Sequence, residues 1–158
     1  MASPQSSDKI ATRNAITMWD HDPDTASASL VTSDGGTTTR MVDMRDYEKF
    51  GVAAMTTVVA GGAITKLEIV ASDDSAGATN LTVIKDSGTI SANAQGDWAF
   101  QECTAEEIRQ ESEEGGYTLR YVGARITVSN SGSECAVMYI QAGAKRAADA
   151  LTAATTGA

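Results

Sequence analysis

Short segments rich in Val, Thr and Ile recur along most of this sequence, and clusters of Gly, Asp, Asn and Ser separate them. β-Branched residues favour strands, and the separating residue types are those that form turns. Only 2 prolines interrupt the pattern. The sequence therefore predicts a mainly β protein with strands at Ser27 to Thr32, Thr38 to Met44, Phe50 to Val59, Ile64 to Ser72, Leu81 to Lys85, Asp97 to Glu102, Tyr117 to Val128 and Cys135 to Gln141.

The number of strands indicates how they are arranged. Many short strands separated by turns are typical of two antiparallel sheets packed face to face. We therefore expect an antiparallel β-sandwich of jelly-roll type, with one short helix and extended termini. A chain of 158 residues can bury the core of one such domain without help from disulfides or metals.

The two ends of the sequence differ in composition from the middle. The beginning is polar, and the end is dominated by Ala and Thr. Segments of this kind bury little apolar surface, so we expect them to extend from the core. We assign 1–25 to an N-terminal arm, 26–142 to the β-sandwich domain and 143–158 to a C-terminal tail.

Two predicted strands differ in the polarity of their faces. In "ITKLEIVAS", apolar Leu67 and Ile69 alternate with charged residues such as Glu68, so one face is predicted to be buried and the other wet. The segment Phe50 to Val59 leaves neither face charged. We expect it to be a central strand or an interface strand.

The stretch "LRYVGARITV" carries Arg120 and Arg125 on either side of Gly123. Apolar residues share one face before this glycine and the other face after it. A bulge or bend at Gly123 would explain the change, as at a sandwich corner. The two arginines would then lie on opposite faces, as structural or interfacial cations.

The two tryptophans are predicted to lie in different parts of the structure. Trp98 alternates with Phe100 and is expected in the core, whereas Trp19 lies in the predicted arm. There it would anchor the arm to its own subunit or to a neighbour. The interface candidates are therefore Trp19, Arg120 and Arg125.

One segment, "TAEEIRQESEE", departs from the β pattern. Thr104 and Glu107 have the spacing of a helix capping box, and Arg109 can pair with Glu113 one turn later. We expect a short helix that ends at Gly115–Gly116.

The connection "SNSGSE" contains Asn130 and Gly132, which tolerate the backbone of tight loops. It predicts a hairpin between the last two strands.

The net charge of −9 argues against a nucleic-acid partner, because neutralising phosphates needs a basic face.

No apolar run approaches the roughly 20 residues that span a bilayer, and the N-terminal residues lack the features of a signal peptide. We expect no membrane partner and synthesis in the cytoplasm.

The sequence offers no pattern for catalysis, a cofactor or a metal. Cys103 and Cys135 lack metal-ligand spacing and are expected to be small buried residues, and His21 is the only imidazole base. "DHDPDT" around His21 has alternating acids that could bind Ca²⁺, but it lacks the rest of an EF-hand loop, so a solvated loop is expected. We therefore expect a protein that is not an enzyme and has no cofactor.

The polar N-terminal segment, the few aromatics and the stretches "VDMRDYEKFGVAAMTTV", "RYVGARITV" and "AVMYIQAGAKRA" together resemble small structural proteins of tailed bacteriophage virions. These are head decoration (cement) proteins and neck or tail proteins. The resemblance covers roughly Met41 to Ala147 and includes no diagnostic motif.

The resemblance implies a virion protein that binds and stabilises the head shell, with the major capsid protein or other virion proteins as partners. It also implies a homo-oligomer, for which we expect a trimer, located in the virion after synthesis in the host cytoplasm. Two alternatives stay open. One is a neck or tail-tube/terminator protein, and the other is a carbohydrate-binding β-sandwich module, which the low aromatic content disfavours.

Overall fold

The computed structural model describes residues 15–21, 28–32, 39–59, 64–130 and 132–144. These residues form nine strands and one helix. In chain order they are β1 (Ala15–His21), β2 (Ala28–Leu30), β3 (Val42–Asp43), β4 (Lys49–Val58), β5 (Ile64–Ser72), β6 (Thr82–Asp86), β7 (Trp98–Thr104), α1 (Ala105–Gly115), β8 (Tyr121–Val128) and β9 (Glu134–Ala142).

The strands form two antiparallel sheets. Sheet A has the order β1-β9-β4-β7, and sheet B has the order β2-β8-β5-β6, with β3 also paired to β8. Strands β2 and β3 lie along the same edge of β8 and act as two parts of one strand. The predicted β-sandwich is confirmed.

The pairing follows the jelly-roll pattern. β1 pairs with β9, β2 and β3 pair with β8, β4 with β7, and β5 with β6. These pairs are nested, as in one long antiparallel hairpin that is rolled up until its two layers face each other. Two further pairs, β4 with β9 and β5 with β8, then complete the sheets. Jelly rolls are found in viral capsid domains, lectins and cupins.

The core lies between the sheets and is built by alternation along each strand. The inward residues of β4 and β9 in sheet A meet those of β5 and β8 in sheet B. Fully buried members include Phe50, Val52, Leu67, Ile69, Val122, Ile126, Val137 and Tyr139.

Tyr139 joins the two sheets by hydrogen bonds. Its hydroxyl accepts from the Ala124 N–H of β8 at 2.8 Å and donates to the Arg40 carbonyl at 3.2 Å. These groups lie where β8 passes from pairing with β2 to pairing with β3. Burial raises the pKa of Tyr139, so its hydroxyl stays protonated and able to donate.

The predicted helix is confirmed as α1, between β7 and β8. The Thr104 hydroxyl accepts from the Glu107 N–H, and the Glu107 carboxylate accepts from the Thr104 N–H, so the capping box is complete. Gly116 ends the helix with a φ of 72°. Ile108 is the residue by which α1 contacts the core.

The hairpin predicted for the last two strands is wrong. β8 belongs to sheet B and β9 to sheet A, so the connection carries the chain from one sheet to the other. Asn130 still makes a tight turn, in which its side chain accepts from the Gly132 N–H. Both edges of β8 are already paired, which leaves no edge for β9.

The bend predicted at Gly123 is also wrong. β8 begins at Tyr121, and its inward residues alternate without a break on both sides of Gly123. Added at Gly123, a Cβ would lie 2.5 Å from the Met41 sulfur and 2.9 Å from the Arg40 carbonyl oxygen. The glycine therefore makes room for the segment that crosses the outer side of the strand.

Two further strand predictions can be compared with the structure. β4 is a central strand, as expected from its uncharged faces. β5 is not wet on one face, since Glu68, Val70 and Ser72 on its outer side are all 3% exposed or less. The reason is that ion pairs cover Glu68, and Met41, Leu30 and the turn around Gly77 cover the upper part of sheet B.

Strand β1 was not predicted from the sequence, and it lies inside the segment assigned to the N-terminal arm. Its inward positions include Thr17 and His21, and its outward positions include Ile16 and Met18. Polar residues on the buried side and apolar ones on the exposed side obscure the usual strand alternation.

Candidate interaction surface

Sheet A presents an apolar surface on the side away from the core. The strand register places its outward side chains in rows across all four strands. We call this surface the apolar face and define it by Ile16, Met18, Ala53, Met55, Trp98, Phe100, Ala136, Met138 and Ile140.

The rows of the apolar face can be read from the register. In the middle row, Met18 lies beside Met138, Met138 beside Ala53, and Ala53 beside Phe100. The row on one side contains Ile16, Ile140, Gly51 and Glu102, and the row on the other contains Asp20, Ala136, Met55 and Trp98. Large and small residues alternate between β9 and β4, so the surface has protrusions and hollows.

Several large side chains of the apolar face are exposed. Trp98 is 68% exposed, Met18 67%, and Phe100 44%. The expectation that Trp98 lies in the core is therefore wrong, because its parity on β7 points it away from sheet B. Contiguous exposed apolar surface of this kind marks interaction sites in soluble proteins.

Charged side chains stay at the margins of this face. By register, the charged residues at outward positions of the described strands of sheet A are Asp20, Lys49, Glu102 and Glu134; Asp20 and Glu102 lie on the edge strands β1 and β7, and Lys49 and Glu134 are the first residues of β4 and β9. Sheet B differs, because its outer side carries ion pairs and is partly covered by its own loops. The two sheets therefore present very different surfaces.

The structure places Trp19 within its own subunit. Its ring makes an edge contact with Tyr139, and the Arg40 guanidinium lies 4.5 Å from the ring centre. The contact with Arg40 is a cation–π interaction. Trp19 thus fastens β1 to the core, and its interface role stays a prediction.

Arg120 and Arg125 form ion pairs at different depths. Arg120 precedes β8 and pairs with Asp43, and both side chains are about a third exposed. Arg125 lies on the outer side of sheet B, where its Nε donates to Glu68 Oε2 at 2.6 Å. The Glu68 side chain is only 4% exposed.

A second cation completes the pairing of Glu68. Lys66 lies 3.0 Å from Glu68 Oε1 and 2.7 Å from Asp86. The hydrogen bond from Arg125 lowers the pKa of Glu68, and Lys66 adds to the effect against the opposing effect of burial. This network explains why a carboxylate can be buried on the outer side of β5.

The predicted Ca²⁺ candidate around His21 is only partly described, since residues 22–27 lie outside the described ranges. His21 itself is 1% exposed, and its Nε2 lies 3.2 Å from the Ser29 hydroxyl. The solvated loop expected there is therefore wrong for this residue. No group of three or more potential ligands occurs among the described residues.

Cys103 and Cys135 are not part of a disulfide, and both are buried, as expected. Burial raises the pKa of Cys103 to about 12. A thiol in this state is a poor nucleophile.

A groove of about 600 Å³ lies between α1 and the residues around Leu119. Its floor is formed by buried Met44, Ile108 and Leu119, and Arg109 on its rim pairs with Glu106 and Glu113.

The described part of the chain contains no helix long and apolar enough to cross a bilayer.

Comparisons with known proteins do not show a family for this chain. No protein-family description matches the chain, and no curated protein matches it. A solved structure titled "Structure of infectious bursal disease virus Gx strain" matches over 84% of this chain, with 12% sequence identity and a TM-score of 0.34. The match covers 30% of that other chain, so this chain spans less than a third of its length.

The apolar face was not predicted from the sequence. A partial signal was available in "FGVAAMTTVV", which was assigned to a central or an interface strand because neither face is charged. The rest of the face depends on which strands lie beside β4, and the sequence alone does not show this.

Proposed function

We propose that this protein is a virion structural protein, and that it acts as a capsid decoration protein that binds and stabilises the head shell. The observation that carries the proposal is the apolar face on a jelly-roll domain. A protein that exposes a broad sheet surface, with its charges at the margins, is suited to binding other proteins.

The net charge supports the same class of function. A chain with a charge of −9 is repelled by DNA, so its place would be on the protein shell. Decoration requires surface contacts rather than a reaction, which fits our proposal that the protein is not an enzyme. Its partners would be the major capsid protein or other virion proteins.

The experiment is a co-sedimentation assay with the purified full-length chain. Expanded empty heads of the encoding phage, stripped of bound accessory proteins, are mixed with the protein and pelleted, and tail tubes are tested in parallel. We expect saturable binding to heads and an increase in the temperature at which the heads open. Binding to tail tubes alone would support the neck or tail-tube alternative, and binding to neither would contradict a virion role.

One observation favours a second candidate, a carbohydrate-binding module. Trp98 and Phe100 are exposed beside a cleft of about 490 Å³ whose polar lining includes Asp97, Gln101 and two serines. Aromatic rings next to polar groups are suited to stacking on sugars. A glycan array tests this candidate, and Trp98→Ala should abolish any specific signal.

A further inference from the structure

We infer that the apolar face binds the same face of a second copy of this chain, in a reversible dimer whose twofold axis runs parallel to the strands. This inference does not depend on the virion role, and because the dimer and the head shell would use the same face, head binding would compete with the dimer. It rests on the register of sheet A, the size of the face and the distribution of charge.

The register makes the face complementary to itself. A twofold axis between β9 and β4, parallel to both, places β9 of one copy over β4 of the other. Met138 then lies over Ala53 of the second copy in the middle row, and in the third row small Ala136 lies over large Met55. Each protrusion of β9 or β4 in these rows therefore meets a hollow.

Under this axis the outer strands match in the middle row, whereas in the other two rows the position of Glu102 lies over Ile16 and that of Asp20 over Trp98. β1 of one copy lies over β7 of the other, so that Met18 meets Phe100. Contacts between methionine sulfur and aromatic rings are favourable. A twofold axis that lies in the plane of the contact but runs across the strands would instead place β9 over β9 and β4 over β4. Met138 would then lie over Met138, large against large, and Ala53 over Ala53.

The size of the face predicts a reversible dimer. With strands about 4.8 Å apart and outward rows about 6.8 Å apart, four strands and three rows cover roughly 19 by 20 Å. The projected area of roughly 400 Å² is about half of what each partner buries in a standard stable interface. We therefore expect a weak dimer that exchanges with monomer, with a dissociation constant in the micromolar range or weaker.

The charge of the chain gives the inference a distinctive signature. Two copies that each carry a charge of −9 repel each other, and salt screens this repulsion. Raising the salt concentration should therefore tighten the dimer. Binding of a basic protein partner would be weakened by salt instead.

The first test measures self-association of the full-length chain by sedimentation velocity between about 1 and 200 μM. Met18→Glu places a charge in the middle of the face and should weaken the dimer about tenfold or more. Val83→Glu is the matched control, since Val83 is also an exposed apolar strand residue, at 36% exposure, but lies on sheet B. It should leave the dimer unchanged.

The second test exchanges large and small residues without adding charge. Ala53→Met places methionine over methionine, and Met138→Ala leaves a hollow over a hollow, so each should weaken the dimer several-fold. The double variant restores a large residue over a small one and should recover most of the affinity. Circular dichroism melts of all variants show whether the fold is retained.

Three outcomes would overturn the inference. They are a wild-type monomer at every concentration, equal weakening by Met18→Glu and Val83→Glu, and a folded double variant that is no better than the single variants. Failure of the head-binding assay at protein concentrations where the dimer has dissociated would reject only the virion role. An isologous contact closes at two copies, so a dimer would take the place of the expected trimer.

Discussion

The two arginines that flank Gly123 form ion pairs that differ in how far they are buried, and therefore in how much they stabilise the fold. Arg125 neutralises a carboxylate that water barely reaches, whereas Arg120 and Asp43 are both partly exposed. Water screens the exposed pair, and little of its attraction contributes to stability. A buried carboxylate, in contrast, has a high energy when its partner is removed.

We predict that Arg125→Met lowers the free energy of unfolding by about 2–4 kcal/mol, because Glu68 then stays buried without its main partner. Urea denaturation measures the loss. Arg120→Met is the control and should cost much less. Equal losses in the two variants would show that the burial of Glu68 does not matter.

At the scale of single elements, residues that interact with near neighbours were predicted well. The helix α1 was predicted with its capping box because Thr104 and Glu107 are three residues apart and need no tertiary contact. Strand pairing was not predictable in this way. The turn around Asn130 has the local features of a hairpin, yet it joins two sheets, because the partners of β8 come from distant parts of the chain.

The cap of α1 gives a prediction at this scale. Thr104→Ala removes the hydroxyl that accepts from the Glu107 N–H and should lower the free energy of unfolding by about 1 kcal/mol. Thermal unfolding followed by circular dichroism measures the change. Thr89→Ala, at an exposed position outside the helix, is the control and should have almost no effect.

At the scale of the whole molecule, the apolar face could not be predicted from the sequence for the same reason as the sheet order. Met18, Met138 and Phe100 lie on three strands that are far apart in the chain. Each is unremarkable within its own strand. They become one surface only when the nested pairing places β1 beside β9 and β7 beside β4.

The ion pairs of the whole domain predict how stability depends on pH. Hydrogen bonds from Arg125 and Lys66 hold the pKa of Glu68 below its ordinary 4.5. For Asp43, burial acts to raise the pKa, but the hydrogen bond from Arg120 and other contacts lower it overall. Groups with lowered pKa values stabilise the folded state above their ordinary values and lose this effect as the pH falls.

We therefore expect the free energy of unfolding to decrease between about pH 5 and pH 3. Glu68→Gln should make this decrease shallower, because one of the titrating groups is gone. Glu114→Gln changes an exposed carboxylate of α1 and serves as the control. A wild-type stability that stays constant down to pH 3 would contradict the expectation.

The pairing of β1 with β9 also determines when the domain can finish folding. Residues 15–21 find their partners in residues 135–141, almost the whole described length away. Contacts of such long range form slowly, since a large loop must close first. During synthesis, β1 must wait until β9 has left the ribosome, with the apolar side chains of both strands unpaired until then.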